Sequence, residues 1–168
     1  MHPFHATERR VDRTCSRFPD FPRDPALLVR LIKRIAQTVH DAGNGSLRKH
    51  GINHTDYNIL MMLYGSEDYA STPSELAAAA GEKLANITRV CNALCDKKLI
   101  HRAPSAEDRR KVTVRLSARG ERFVEGLLPD MAGLLHRSVR GLDAREQATL
   151  ETLLKKMLVD AERMGDAP

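Results

Sequence analysis

The stretch that decides the fold is PSAEDRRKVTVRLSARGERF, residues 104–123. Within it Val112, Val114 and Leu116 alternate with polar residues, and this period of two predicts a half-buried strand. The preceding SAEDRRK is too charged and turn-prone to be buried, so it predicts an exposed basic loop attached to the strand. This stretch alone leaves two interpretations of the loop open: a solvated hairpin tip, or a loop that reaches a ligand.

Composition excludes several classes of protein. With 168 residues, of which 42% are hydrophobic and 29% charged, the chain can form one globular domain, or a small domain with extra packing elements. No apolar run approaches the roughly 18 residues of a membrane span, and the first residues lack the apolar centre of a signal peptide. The three cysteines form no CxxC pair, which favours a reducing compartment. We therefore expect a cytoplasmic protein that does not bind a membrane.

The positive charge is concentrated in one segment. From Lys83 to Arg122 there are eleven Lys and Arg residues against four acids, a net charge of +7, so the remainder of the chain carries −2 of the total of +5. Such a concentrated basic block is typical of proteins that bind a polyanion. A winged helix that docks another protein is the alternative, but it would carry a neutral or acidic block here. The charge distribution therefore favours nucleic acid as the partner.

Helical periods flank this block on both sides. Residues 1–24 show no hydrophobic period and contain three prolines, which predicts a flexible N-terminal arm. Asp24 is the expected N-cap of a first amphipathic helix, which GNG at 43–45 is expected to end. Near the C-terminus, Ser117 and Asp143 are expected to cap two further amphipathic helices. The apolar stripes of these three helices exceed what a small domain needs, so residues 25–50 and 117–165 are predicted to form a helical dimerisation region.

Between these helices the pattern predicts a helix-turn-helix. A helix at about 55–64 is followed by TPSELAAAAG, in which Thr72 and Glu75 form a capping box and Gly81 ends the helix. The next helix is amphipathic, and its exposed early turns carry side chains that can reach base edges and phosphates. A strand at 99–103, the basic loop and the strand at 112–116 complete the order of a winged helix. The fold class predicted is therefore mainly α with a small β wing: a winged helix-turn-helix domain at 51–116 plus the helical dimerisation region.

This order of elements also answers the question raised by the basic loop, which becomes the wing. A wing can lie along a minor groove, whose negative potential attracts arginine. Asp108, two positions before Arg110, can hold that guanidinium in a fixed orientation. The predicted DNA-binding residues are Ser74, Lys83, Asn86, Thr88 and Arg89 in the helix pair and Asp108, Arg109, Arg110 and Lys111 in the wing.

The wing segment DRRKVTVRLSARG resembles the signature of the multiple antibiotic resistance regulator (MarR) family, in which Asp, any residue and Arg precede a strand, Leu, Ser or Thr, two residues and Gly. INHTDYNILMMLY, TPSELAAAAGEKLANITRVCNALCDKKLIHR and LLPDMAGLLHRSVRGLDAREQATLETLLKKML are similar, in order and spacing, to the EmrR (MprA) branch of that family. The resemblance extends from about residue 25 to 163. It implies a homodimeric repressor of a pseudo-palindromic double-stranded DNA operator, released by a small aromatic or phenolic effector.

Candidate effector-binding residues follow from that resemblance. Tyr57 and Met61 on the second helix and Arg34 on the first could line the effector site, with Arg34 pairing a carboxylate. Ordinary core packing is the alternative for Tyr57 and Met61. A thiol-based redox-sensing regulator is the alternative mechanism, because Cys15 lies between two arginines that favour the thiolate.

Catalysis, metals and cofactors are not predicted. The sequence has no Gly-rich phosphate loop, no GxSxG and no HExxH motif, so an enzyme is not expected. The seven histidines form no tight ligand cluster, and Cys with His at zinc spacing is absent. We therefore predict no catalytic residue, no metal site and no cofactor.

Overall fold

The computed structural model describes residues 3–104 and 112–165. Its contacts form two compact units, Met1–Leu127 and Leu128–Pro168. In chain order, the described elements are α1 (His5–Arg17), α2 (Arg23–Leu47), a 3₁₀ turn (Arg48–His50), α3 (His54–Tyr64), β1 (Ala70–Ser71), α4 (Pro73–Ala80), α5 (Leu84–Asp96), β2 (Ile100–Pro104), β3 (Val112–Leu116), α6 (Ala118–Ser138) and α7 (Ala144–Gly165). None of the helices in the described ranges combines the length and apolarity that a membrane crossing needs. The prediction of a mainly α fold with a small β wing is confirmed.

Helix α1 lies where the sequence predicts a flexible arm, and that expectation is wrong for these residues. Helix α1 packs on α2, and Phe4 and Val11 are only 7% and 2% exposed. An ion pair of 2.8 Å between Arg23 Nε and Asp12 Oδ1 ties the two helices together near their connection. Phe4, Val11 and the half-buried Cys15 are spaced for one helix face. With so few apolar residues among many charges, this period is too sparse to stand out in the sequence.

Helix α2 is longer than predicted at both ends. It begins at Arg23, with Pro22 and not Asp24 as the N-cap residue, and continues through GNG to Leu47. Two glycines in a helix cost about 1 kcal/mol each, and tertiary contacts offset this cost. Gly43 and Leu47 are buried, and the side-chain oxygen of Asn44 accepts a 2.8 Å hydrogen bond from the backbone N–H of His54.

The helix pair follows the predicted local signals closely. Helix α4 has the capping box of Thr72 and Glu75, and Gly81 adopts the left-handed conformation with φ of 63°. Helix α3 is capped by Asn53 and Asp56, so it begins one residue before the predicted start at Thr55. Buried apolar residues on α3, α5, β3 and α6 form the core of the first unit, among them Ile59, Leu60, Leu63, Ile87, Leu94, Val114, Val124 and Leu127.

The three strands form an antiparallel sheet in the order β1-β3-β2. Strands β2 and β3 are the two predicted strands, and in their register Ile100 lies opposite Leu116 and Arg102 opposite Val114. Strand β1 has only two residues and pairs with Val114 and Arg115. Its brevity leaves no period for the sequence to show.

The segment SARG joins the sheet to α6. Ser117 Oγ donates to the backbone oxygens of Lys98 and Leu99 at 2.8 and 3.0 Å, and it accepts from the N–H of Gly120 at 2.9 Å. A Cβ added to Gly120 would lie 2.0 Å from the carbonyl oxygen of Leu99. Ser117 therefore caps α6 as predicted. Only glycine fits at position 120, because α6 lies there directly against the backbone of Leu99, the residue before β2.

The second unit contains the end of α6 and all of α7. Asp143 and Glu146 form the predicted capping box at the start of α7, with hydrogen bonds of 2.8 and 2.9 Å. Four leucines of α7 are between 42% and 57% exposed: Leu150, Leu153, Leu154 and Leu158. This unit therefore presents an apolar face that its own described residues do not cover.

Candidate nucleic-acid interface

Helix α5 is anchored by one face and exposes the other. The anchoring side chains are 0–2% exposed: Ile87, Val90, Cys91 and Leu94. Lys83 and Arg89 are exposed, while Asn86 and Thr88 are half-buried. The turn at Gly81 sets the angle at which α5 follows α4. The structure therefore places the predicted recognition residues on the early turns of a rigidly packed helix.

Two of these residues belong to a hydrogen-bonded chain on the surface. Arg89 Nη2 donates to Asn86 Oδ1 at 2.9 Å, and Asn86 Nδ2 donates to Glu82 Oε2 at 3.1 Å. Asn and Arg are the side chains that read adenine and guanine in the major groove. Because Asn86 holds the guanidinium and Glu82 in turn holds Asn86, Arg89 loses less conformational entropy when it binds a base. Glu82 is not among the residues predicted from the sequence, because its negative charge gives no signal for a DNA interface.

Thr88 and Ser74 have different surroundings. Thr88 Oγ1 donates to the backbone oxygen of Leu84 at 2.9 Å, so its hydroxyl proton is used within the helix. Its remaining contribution to DNA is as an acceptor or through its methyl group. Ser74 is exposed in the first turn of α4, where backbone N–H groups and the helix dipole favour a phosphate.

Arg102 extends the basic surface from α5 toward the wing. Its Nη2 donates to Asn92 Oδ1 at 2.6 Å, and both residues are exposed. This contact links β2, which leads into the wing, to the outer side of α5. Arg102 belongs to the basic block but is not among the site residues predicted from the sequence, since its proximity to α5 depends on the tertiary fold.

Two other cations of the basic block have structural contacts. Lys97 Nζ donates to the backbone oxygen of Gly51 at 2.7 Å and lies 3.5 Å from Oδ2 of the buried Asp56. Arg115 Nη1 donates to the backbone oxygen of Asp68 at 2.6 Å. These two side chains connect elements within the domain, so the charge available to DNA is smaller than the sequence total indicates.

The predicted wing residues Asp108, Arg109, Arg110 and Lys111 lie outside the described residues. The two strands that lead to them, β2 and β3, are paired over five residues each. Their role in binding DNA therefore stays a prediction from the sequence.

The three predicted effector-binding residues lie in two different surroundings. Arg34 is exposed on α2 and lines a cleft against α1 that Tyr57 and Met61 do not line. Tyr57 stacks on His54, with ring centroids 6.2 Å apart, and partial burial raises the pKa of its hydroxyl. A shared site for these three residues stays a prediction.

A pair of histidines lies where α2 meets α3. The rings of His40 and His54 are in edge-to-face contact, with centroids 4.7 Å apart. Burial, and then the neighbouring His40, lower the pKa of His54. The described residues contain no group of three or more His, Cys, Asp or Glu side chains arranged to hold a metal ion.

The three cysteines differ in their exposure: Cys91 is buried, whereas Cys15 and Cys95 are half-buried. Cys91 is fully buried, and burial, followed by the nearby Cys95, raises the pKa of its thiol. Cys91 therefore stays in the unreactive thiol form. Cys15 is half-buried, and its Sγ lies 3.8 Å from the backbone oxygen of Phe21.

We expect the combined variant Cys15→Ser, Cys91→Ala and Cys95→Ser to bind operator DNA as the natural chain does, with or without peroxide. Alanine is chosen at position 91 because a serine hydroxyl in the core would lack a partner. A gel shift with and without hydrogen peroxide measures this. Release of the natural chain by peroxide, absent in the variant, would show that a thiol controls binding.

These features define a winged helix-turn-helix DNA-binding protein: the capped helix pair, the anchored α5 with its half-buried Asn86 and exposed Arg89, and the paired wing strands. Comparison with known proteins identifies the family to which it belongs. A sequence model of the MarR family matches residues 50–111. The transcriptional repressor MprA of Escherichia coli K12 is 31% identical over 161 residues, which are 96% of this chain and 92% of that protein. The chain belongs to the MarR family of DNA-binding transcriptional regulators, which are not enzymes, and the predicted family and branch are confirmed.

Solved structures agree with this assignment. A variant of E. coli MarR in complex with operator DNA is 30% identical, covers 83% of this chain and 99% of its own, and superposes with a TM-score of 0.71. AbsC of Streptomyces coelicolor, a MarR family regulator, shares the fold with a TM-score of 0.74 at 20% identity, covering 83% of this chain and 93% of its own.

Proposed function

We propose that the chain is a homodimeric repressor that binds a pseudo-palindromic operator and releases it when a small aromatic or phenolic ligand binds. The observation that carries the dimer is the set of large apolar side chains left exposed outside the DNA-binding helix pair. On α2, Leu28, Val29 and Ile35 are between 54% and 59% exposed. Several large apolar side chains exposed on one helix favour a protein interface there.

The second unit carries the stronger part of this observation. Leu150, Leu154 and Leu158 line a groove of about 430 Å³ together with Val139 and Leu142. A second copy of the chain would fill such a groove with its own leucines, as an isologous interface requires. Two copies would then present two α5 helices to successive major grooves, which accounts for a two-fold operator.

Replacing Leu154 with Glu is expected to convert the dimer to monomers and to lower operator affinity at least tenfold. A carboxylate placed in an apolar interface loses its hydration without gaining a partner, and a monomer contacts only one half-site. Light scattering after gel filtration measures the mass, and fluorescence anisotropy measures DNA binding.

The matched control is Thr152→Glu, which adds the same charge to an exposed position on the opposite side of α7. We expect this control to stay dimeric and to bind operator normally. A Leu154→Glu chain that remains dimeric with full affinity would exclude this interface.

Two observations support the effector part of the proposal. The chain belongs to the MarR family, and helix α2 carries both apolar and basic side chains. We expect an aromatic acid to release the protein from an operator obtained by selection from random DNA. Fluorescence anisotropy of the labelled operator, titrated with a series of aromatic acids and their neutral amides, tests this expectation. If no member of the series releases the operator, the proposed effector class is wrong.

A further inference from the structure

Glu82 lies in the turn between α4 and α5, and its side chain is bonded to one of the predicted DNA-binding residues. Its Oε2 accepts a 3.1 Å hydrogen bond from Nδ2 of Asn86, while Oδ1 of Asn86 accepts from Nη2 of Arg89 at 2.9 Å. We propose that Glu82 is a positioning residue for sequence recognition, which holds the Asn86 amide in the orientation that reads an adenine in the major groove. This inference rests on contact between α5 and DNA and is independent of the proposed effector.

The backbone of Glu82 is held in place by the end of α4. The N–H of Gly81, which has the left-handed conformation, donates to the backbone oxygen of Ala78 at 3.2 Å. The N–H of Glu82 donates to the backbone oxygen of Ala77 at 3.0 Å. These two bonds form the Schellman arrangement that ends many helices. The carboxylate of Glu82 therefore extends from a fixed point of the backbone, four residues before Asn86.

The two partners of Asn86 exclude the flipped orientation of its amide. A carboxylate only accepts hydrogen bonds, and a guanidinium only donates them. Turning the amide over would place its carbonyl oxygen against the carboxylate of Glu82 and its N–H groups against the guanidinium of Arg89. Both contacts would then be repulsive. Because the bond from Asn86 to Glu82 has a charged acceptor, it is stronger than a bond between neutral groups, so Glu82 contributes strongly to this choice of orientation.

The observed orientation leaves free the groups that adenine requires. An asparagine amide has two N–H donors and an oxygen with two lone pairs. Glu82 and Arg89 each use one of these groups, so one N–H and one lone pair remain for DNA. In the major groove adenine presents the acceptor N7 and the amino group on C6, which an asparagine can bind together. Asn86 can therefore bind adenine while it stays bonded to both partners.

The charge of Glu82 has a second effect, which can be separated from positioning. Glu82 directly precedes the basic block and is exposed, so its carboxylate repels DNA phosphates. Phosphate contacts carry no sequence information, and this repulsion therefore acts alike on every DNA sequence. Positioning of Asn86 changes only the binding of DNA that offers the matching base. The ratio of the affinities for matching and mismatched DNA consequently reports positioning alone.

Selection from random DNA, followed by anisotropy titrations of duplexes that differ at single positions, tests the inference. We expect the natural chain to select an adenine at a position where Asn86→Ala has no preference. Glu82→Ala should lower the discrimination at that position about tenfold. Glu82→Gln keeps an acceptor oxygen for Asn86 and should retain most of the discrimination. Both Glu82 variants should bind random DNA more tightly than the natural chain, because each removes a negative charge.

Two controls isolate the contact between Glu82 and Asn86. Asp96→Ala removes the same charge from the exposed last residue of α5 and should leave the adenine preference unchanged. In a chain that already carries Asn86→Ala, the further change Glu82→Ala should no longer alter discrimination, because the residue that it positions is absent.

The results separate this inference from the proposed function. If discrimination is the same in Glu82→Ala as in Glu82→Gln, charge alone accounts for the effect of Glu82 and the inference is overturned. An effect of Glu82→Ala that persists without Asn86 would also overturn it. So would an Asn86→Ala chain that keeps every base preference, while dimerisation and operator binding, measured separately, would still support the repressor. Circular dichroism shows whether each variant is folded.

Discussion

Replacing Gly120 with alanine is expected to destabilise the protein by about 3 kcal/mol, the upper part of the usual range for overpacking. The added Cβ would lie 2.0 Å from the carbonyl oxygen of Leu99 and 2.9 Å from its carbonyl carbon. Both are backbone atoms next to β2, so they cannot move away as a flexible side chain would. The gain in helix propensity from Gly to Ala is only about 1 kcal/mol and does not offset such a contact.

Chemical denaturation measures this difference in unfolding free energy, and Gly126→Ala is the matched control. Gly126 lies in the same helix, and a Cβ there meets nothing within 4 Å. The control should therefore be more stable than the natural chain by about 0.5 to 1 kcal/mol. Equal stabilities for the two variants would show that α6 does not approach the backbone before β2 in this way.

Replacing Arg89 with alanine is expected to weaken binding to the selected operator by about 1 to 3 kcal/mol, about ten- to hundredfold, and to weaken binding to random DNA much less. The guanidinium is exposed, held by Asn86, and lies on the early part of α5. A group in this position can read a base edge, while phosphate contacts would strengthen binding to every sequence alike.

Anisotropy titrations with both DNAs, at two salt concentrations, measure the effect. Arg115→Ala is a suitable control, since that side chain is bound to the backbone of Asp68 and should not affect sequence discrimination. Equal losses of Arg89→Ala on operator and random DNA would assign Arg89 to the phosphates.

The sequence predicted those parts of the fold whose signals are local. The capping boxes at Thr72 and Asp143 and the left-handed turn at Gly81 each depend on a few neighbouring residues, and all three are present. The alternation of Val112, Val114 and Leu116 likewise placed β3 correctly. Each of these patterns has a physical cause within one turn or one strand.

The wrong predictions concern helices that depend on contacts between residues far apart in the sequence. Helix α1 depends on burial of Phe4 and Val11 against α2, and no local signal shows this partner. Helix α2 passes GNG because Gly43 is buried and Asn44 binds the start of α3. Contacts made only in the folded domain outweigh the local preference of glycine for a helix end.

In the candidate site, too, the sequence predicted what residue type and spacing decide, but not the contacts between side chains. The residue types and spacing of Asn86 and Arg89 predicted their place on an exposed helix face. The sequence could not show that Glu82 would hold Asn86, or that Arg102 would reach Asn92, because both depend on side-chain geometry. Nor could a charge count separate Lys97, which binds the backbone of Gly51, from the cations left for DNA.

Two copies of this chain are proposed to bind one operator through their α5 helices, and the stoichiometry of the complex decides this. An operator selected from random DNA is titrated with the protein and the complex is weighed by native mass spectrometry, alongside a duplex in which one half-site is scrambled. We expect two chains on the intact operator, at least tenfold weaker binding to the scrambled duplex, and affinity that falls steeply with salt. One chain per duplex with equal affinity for both DNAs would contradict it.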